Sequence, residues 1–256
     1  MTVPVDPPPI DEVLTLLEDL IAFPSVALTP NVDLIAHVED LLRPYCTDIV
    51  LTHDETGTKA NLFATIGPAV DGGVMLAGHS DVVPVDPADW ATPPFVATRL
   101  GDRIYGRGTA DMKAFIAVCL TLTPQMLKSK LHTPIHLVFS YDEEIGCVGV
   151  RTLLAQLEHM ENRPVGVVIG EPTNMTVARA HKGKLSLRCR VRGLEGHSGL
   201  THLGVNAVEA AAEAIAYLKS MARQIKKDGP FDPELQPPYT TVHTGVVEGG
   251  TQLNII

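Results

Sequence analysis

Gly106-Arg107-Gly108-Thr109-Ala110-Asp111-Met112-Lys113 joins a glycine turn to the apolar run Ala114-Phe115-Ile116-Ala117-Val118, which reads as the start of a helix. The glycines let the backbone reverse sharply, and Asp111 stands at the threshold of the helix. By itself, an aspartate there is an ordinary helix cap. Three other polar clusters change its meaning. His79-Ser80-Asp81, Asp142-Glu143-Glu144 and Gly170-Glu171-Pro172-Thr173 directly follow or close the apolar runs 74–78, 135–141 and 165–170, each of strand length. Between these runs the pattern predicts helices over 112–127, which Pro124 is expected to end early, and over 149–159. Strand, loop and helix in alternation indicate an α/β fold, an open, mostly parallel sheet with helices on both faces. Ligands of such sheets collect outside the carboxyl ends of the strands. Four acidic or imidazole clusters at such ends read together as a metal site.

Upstream, Asp11 is placed to cap a helix whose apolar positions are Val13, Leu16, Leu17, Leu20 and Ile21. A second amphipathic helix runs over 31–45 with Leu34, Val38, Leu41 and Leu42 on one face, and strands follow over 48–52 and 62–66. Asn61 carries no signal of its own. Downstream, the character changes near residue 182. Alternating strands are expected over 184–191 and 240–247, with an Ala-rich helix over 205–226 between them. A domain boundary is therefore expected near residue 182, between a unit 1–182 that holds the metal-site clusters and an α+β unit 183–256.

Composition narrows the function classes. The 256 residues are 45% hydrophobic, enough for a sizeable core. No apolar run approaches the roughly 20 residues of a membrane helix, and the proline-rich start has no signal-peptide pattern. Cys46, Cys119, Cys147 and Cys189 are scattered and form no CxxC pair, as expected of reduced thiols in a cytoplasmic protein. A net charge of −10 argues against a nucleic-acid partner.

The chemistry of the clusters can be read residue by residue. In His79-Ser80-Asp81 the first and third side chains face the same way on extended chain, so His79 suits a ligand and Asp81 the carboxylate that orients its ring. In Asp142-Glu143-Glu144, three adjacent carboxylates repel unless a cation or donors offset them. A solvated acidic turn is the plain alternative. If a cation is present, one glutamate can bind it while the other takes a proton from water.

Taken with their flanks, Leu76-Ala77-Gly78-His79-Ser80-Asp81-Val82-Val83-Pro84, the stretch 106–113, Asp142-Glu143-Glu144 and Gly170-Glu171-Pro172-Thr173 resemble the M20 family of dinuclear metallopeptidases and amidohydrolases. The continuation Ala178-Arg179-Ala180-His181-Lys182-Gly183 is most similar to the branch that deacetylates N2-acetyl-L-ornithine in arginine biosynthesis. Succinyl-diaminopimelate, other acyl amino acids and dipeptides are substrates elsewhere in the family.

The resemblance implies roles for matching residues. His79, Asp111 and Glu171 would hold one divalent metal ion, and Asp111, bridging, would share the second with Glu144. Glu143 would be the general base, and Asp81 would orient His79. A cis peptide bond is expected between Asp111 and Met112. His197, in Gly196-His197-Ser198-Gly199, would polarise the scissile carbonyl across a lid-mediated homodimer, and Asn254 would lie near the substrate. Zinc suits the carboxylate-rich set, and cobalt or manganese also fits. Family members continue beyond the Asn254-Ile255-Ile256 segment and return to the catalytic domain with a last histidine for the second metal. Without that part, one metal is expected to bind more tightly than the other, and a sheet edge is expected to stay open. Two readings follow from the sequence: an amidohydrolase of N-acyl amino acids, or a non-catalytic remnant that dimerises through its lid.

Overall fold

The computed structural model describes residues 9–256, so the proline-rich start over 1–8 lies outside the described residues. Internal contacts divide these residues into two units, one ending at Thr176 and the other spanning Val177–Ile256. The division falls a few residues before the change of character near 182.

In the first unit, α1 (Ile10–Ala22) and α2 (Val32–Leu42) bury Val13, Leu17, Leu20 and Ile21, and Leu34, Ile35, Val38 and Leu42, on one stripe each. Ile35 takes the inward place expected of Leu41, which is exposed. Asp11 lies inside the first turn of α1 rather than ahead of it, where its charge still favours the helix N-terminus.

Strands β1 (Asp48–His53), β2 (Ala60–Ile66), β3 (Val74–His79), β6 (Ile135–Ser140) and β7 (Gly166–Ile169) form a sheet in the order β1-β2-β6-β3-β7. The sheet is mixed. β6, β3 and β7 run parallel, whereas the β1–β2 hairpin forces antiparallel pairing with β2 at that end. The parallel half is the one that carries the polar clusters. A small hairpin, β4 (Thr98–Leu100) with β5 (Arg103–Tyr105), precedes the glycine turn.

The crossovers explain why both faces are covered. β3 leads through α3 (Ala114–Lys128) to β6, and β6 leads through α4 (Val150–Leu157) back past β3 to β7. The two connections run in opposite directions along the sheet, and right-handed crossovers then place their helices on opposite faces. Alternate strand residues divide accordingly. Leu62, Ala64, Leu137 and Phe139 join α1, α2 and α3 in the larger core, while Phe63, Met75 and Val138 meet Leu153 of α4 on the other side. Pro124 does not end α3, which continues to Lys128; Ile116, Ala117, Cys119, Leu120 and Thr123 bury the helix firmly enough to carry the missing hydrogen bond. β7 ends the sheet with all its residues exposed.

In the second unit, α5 (Ala207–Asp228) is capped by Asn206, whose side chain accepts from Val208 N and Glu209 N. Lys226 and Lys227 occupy its last turn. The strands expected over 184–191 and 240–247 do not form. Isolated bridges join Leu194 to Val205, His197 to Ile255 and Phe231 to Tyr239. Alternation marks a residue run as able to be a strand, but a ladder needs a neighbour. Leu185 and Leu187, which should have faced a core, are more than four-fifths exposed (82% and 84%).

Candidate metal centre

Parallel pairing aligns the ends of three strands. His79 of β3 stands beside Ser140 of β6, and Ala77 of β3 beside Ile169 of β7. The chain therefore leaves β6 into Asp142-Glu143-Glu144 and β7 into Glu171 at the same edge that holds His79. Two glycines permit the close approach. A Cβ on Gly170 would stand 2.1 Å from Phe115 Cγ, and one on Gly78 would stand 3.0 Å from Met112 Cε. Phe115, in the first turn of α3, thus fills the space under both strand ends.

Asp111 arrives from the loop before α3. Gly108 has φ +89°, Asp111 and Met112 are non-helical, and the Asp111–Met112 peptide is cis, as expected. Lys113, fully buried, donates from Nζ to the carbonyls of Leu20 (2.9 Å) and Phe23 (2.8 Å), tying this loop to the C-terminal end of α1. Burial pushes its pKa down to about 7, against the opposing charge of Asp81.

His79 is buried, and its two nitrogens face different partners. Nδ1 lies 2.8 Å from the main-chain carbonyl of Asp81 and 3.5 Å from its carboxylate. Nε2 lies 3.0 Å from Asp111, 3.8 Å from Glu171 and 4.0 Å from Glu143. An N–H at Nδ1 donating to the carbonyl leaves Nε2 to meet a cation. The main-chain oxygen of Asp81 thus makes the shorter contact with the ring. Its carboxylate has other partners: the backbone N–H groups of Glu143 (3.0 Å) and Glu144 (3.2 Å).

Donor atoms of His79, Glu143 and Glu171 lie within 4.8 Å of one another, and so do those of His79, Asp111 and Glu144. The four expected residues at the strand ends, His79, Glu143, Glu144 and Glu171, are thereby brought together with Asp111 from the loop before α3. Both glutamates of the pair reach donor positions, so the assignment of Glu143 as base and Glu144 as ligand rests on the family pattern. Electrostatics favour a cation. Burial, then repulsion from Asp111, raises the pKa of Glu144; burial and the charges of Asp111, Glu143 and Glu144 raise that of Glu171 against the pull of His79. Burial disfavours charge on His79, but Asp81 and then Glu171 outweigh it and raise its pKa to about 9.

Several residues around the centre gave no signal in the sequence. Asn61, fully buried at the start of β2, donates to Gly149 O (2.9 Å) and Thr152 Oγ1 (3.1 Å) and accepts from Tyr141 N (3.3 Å). It holds both ends of the loop that carries Glu143 and Glu144. Lys59 donates from Nζ to Asp142 Oδ2. Cys147 donates from Sγ to Glu143 Oε1 at 3.2 Å. The available clue was polarity where a strand begins, since a buried polar side chain must find partners.

In the second unit His197 is exposed, and its Nδ1 accepts from Gly199 N at 3.0 Å, which leaves the ring proton on Nε2. Asn254 O accepts from Ser198 N (3.1 Å), and Gly196 O accepts from Ile256 N (2.9 Å). The segments around His197 and Asn254, both singled out in the sequence, therefore lie side by side within that unit.

Residues 75–244 match the model of Peptidase family M20/M25/M40. The chain belongs to this family. Among M20 relatives, the acetylornithine deacetylase of Pasteurella multocida is 37% identical over 77% of the chain and 50% of its own length. That of Shigella sonnei is 35% identical over 93% of the chain and 62% of its own length. The chain thus spans between half and two thirds of these relatives. An M20 family metallo-carboxypeptidase from Sulfolobus solfataricus superposes with a TM-score of 0.57 at 25% identity, covering 81% of this chain and 50% of that one. A tripeptidase from Staphylococcus aureus shares the fold with a TM-score of 0.57 at 20% identity, covering 97% and 63%. Among the described residues, no helix is long and apolar enough to cross a membrane.

Proposed function

We propose that the protein catalyses metal-dependent hydrolysis of the amide bond of N-acyl amino acids, converting N2-acetyl-L-ornithine to L-ornithine and acetate. The observation that carries this reading is the convergence of His79, Asp111, Glu143, Glu144 and Glu171 at three aligned strand ends in an M20 chain. The choice of substrate draws on the two deacetylase relatives.

The donor set fits divalent metal: one imidazole and several carboxylates, two of them with pKa values raised by burial and the crowding of like charge. His79, Asp111, Glu144 and Glu171 would hold two ions, for which zinc is our choice over cobalt or manganese. Such ions, when bound, polarise a carbonyl and make water a better nucleophile at neutral pH. Glu143 takes the proton of the attacking water, the water oxygen bonds to the acyl carbon, and Glu143 passes that proton to the amine as the C–N bond breaks. Asp81 keeps His79 turned toward the carboxylates through its carbonyl and holds the backbone of both glutamates through its carboxylate. His197 of the partner subunit, with its proton on Nε2, donates to the oxyanion that forms at the carbonyl oxygen. The protein works as a cytoplasmic homodimer joined through the lid domains.

The test is a substrate comparison with zinc- or cobalt-loaded protein. N2-acetyl-L-ornithine, N-succinyl-diaminopimelate, a second acetyl amino acid and a dipeptide are offered, and release of free amine is measured. Preference for acetylornithine is expected. Turnover of the dipeptide alone would reassign the protein to the peptidases of its family.

A further inference from the structure

We propose that Lys59 and Asp142 are positioning residues for the Glu143–Glu144 turn, and that their buried ion pair sets where the general base stands. The inference rests on Glu143 being that base and concerns two residues outside the metal-ligand set.

Asp142 immediately precedes Glu143 and has φ +52°, in the left-handed region that side chains other than glycine seldom adopt. Every acceptor it offers is used. Oδ1 accepts the backbone N–H of Leu28 at 2.9 Å, Oδ2 accepts the Lys59 ammonium, and its carbonyl accepts Val148 N at 3.0 Å. Leu28 itself has φ +72°. Lys59 is fixed in turn: its N–H donates to Asp54 Oδ1 at 3.0 Å, and its carbonyl accepts Asp54 N at 2.9 Å. Three segments distant in sequence, the α1–α2 loop, the β1–β2 hairpin and the end of β6, therefore meet at one carboxylate.

A buried ion pair of this kind is a poor way to gain stability, because desolvation of both charges offsets most of their attraction. Its side chains are only 11% and 7% exposed. A residue in an unfavourable backbone region persists where its surroundings over-determine it, and such residues gather at functional sites. Charge supplies a second reason. Asp81, Asp111, Glu143, Glu144 and Glu171 already crowd this edge, and Lys59 cancels the additional anion that Asp142 would bring. The main-chain direction leaving Asp142 then delivers the N–H groups of Glu143 and Glu144 to Asp81. Asp81 fastens the turn from the β3 side, and Lys59 with Asp142 fastens it from the β2 side.

The decisive protein is the double variant K59M/D142N. Each single variant leaves an unpaired buried charge and is expected to lose stability for that reason alone. The double variant has no such charge, and the amide oxygen that replaces the carboxylate can still accept from Leu28 N–H. Amide hydrogen exchange of a peptide covering 141–149 is compared with one covering 74–83, which requires no substrate. We expect exchange across 141–149 to become at least ~10-fold faster with 74–83 unchanged. On the acyl amino acid that the wild type hydrolyses best, kcat should fall at least ~10-fold at unchanged KM. A folded double variant with wild-type exchange across 141–149, or with wild-type kcat, overturns the proposal. If the wild type hydrolyses no acyl amino acid, the functional reading fails while the exchange comparison still decides this one.

Discussion

The carboxylate of Asp81 accepts the backbone N–H of Glu143 at 3.0 Å, and its other oxygen accepts that of Glu144 at 3.2 Å. One side chain at the end of β3 thus fixes the main chain at the end of β6. Its pKa is lowered: burial opposes the charge, but His79 and the two N–H groups outweigh it. In Asp81→Ala both N–H groups, which are part-buried, lose their partner, at a cost of about 1 kcal/mol, the lower end of the range for an unsatisfied donor. Chemical denaturation of metal-free protein should show a loss of at least that size. An unchanged midpoint would mean that the turn is held without Asp81.

Metal binding should release a proton. In metal-free protein His79 has a pKa of about 9, so at neutral pH its ring is charged and a cation must displace a proton. Because the folded pKa lies above the unfolded value near 6.5, the charged ring stabilises the metal-free fold at low pH. That contribution is lost as pH rises through about 9. Apparent metal affinity runs the other way, rising about tenfold per pH unit up to about 9 as far as His79 governs it. Zinc titrations by calorimetry in buffers of different ionisation enthalpy should therefore give about one proton released from His79 at pH 7. No proton release would show that the ring is already neutral.

Glu171 reaches the centre because Gly170 lies against the ring of Phe115. With an ideal Cβ only 2.1 Å from Phe115 Cγ, Gly170→Ala must displace either the ring or the strand end. Overpacking of this kind costs about 1–3 kcal/mol. The double variant Gly170→Ala, Phe115→Leu should regain part of that stability, because leucine vacates the space the ring occupies. If Gly170→Ala alone matches the wild type in both stability and metal affinity, β7 is not pressed on Phe115.

The strand ends were legible in the sequence because parallel strands are written as continuous apolar runs, β7 among them although it stays exposed at the end of the sheet, and the residues just after each run must lie at one edge of the sheet. His79, Asp142-Glu143-Glu144 and Glu171 could be placed together on that ground alone. The braces could not. Asn61 meets Gly149 and Lys59 meets Asp142 only after the sheet has formed, and neither position has local periodicity that announces a partner. Residues 184–191 failed for the converse reason. Their alternation was genuine, but a strand is a relation between two segments, and no ladder partner joins them among the described residues. Asp81 shows a third case. Its spacing from His79 suggested a carboxylate-to-ring contact, yet the ring lies closer to its carbonyl, and its carboxylate serves the glutamates.

In the proposed reaction His197 acts through a single ring nitrogen. Its Nδ1 is occupied by Gly199 N–H, so the ring donates from Nε2, and the residue is exposed on a unit whose own structure holds none of the five clustered metal-site residues. Within that unit the Gly196–Ile256 and Ser198–Asn254 hydrogen bonds fix the loop on both sides, so the exposed ring is presented by a braced turn. In the proposed reaction it acts on a partner subunit's substrate, and Glu143 acts on its own. His197→Ala and Glu143→Ala proteins should each lose nearly all turnover, with metal content kept in both, since neither side chain is assigned to hold the ions. Mixing the two should restore activity, because half the mixed dimer's sites then combine an intact Glu143 with an intact His197 of the partner subunit. Turnover is measured on mixtures in which affinity tags and mass spectrometry verify the heterodimer. Verified heterodimers without recovery would confine His197 to its own chain, and loss of metal in Glu143→Ala would exchange the roles of Glu143 and Glu144.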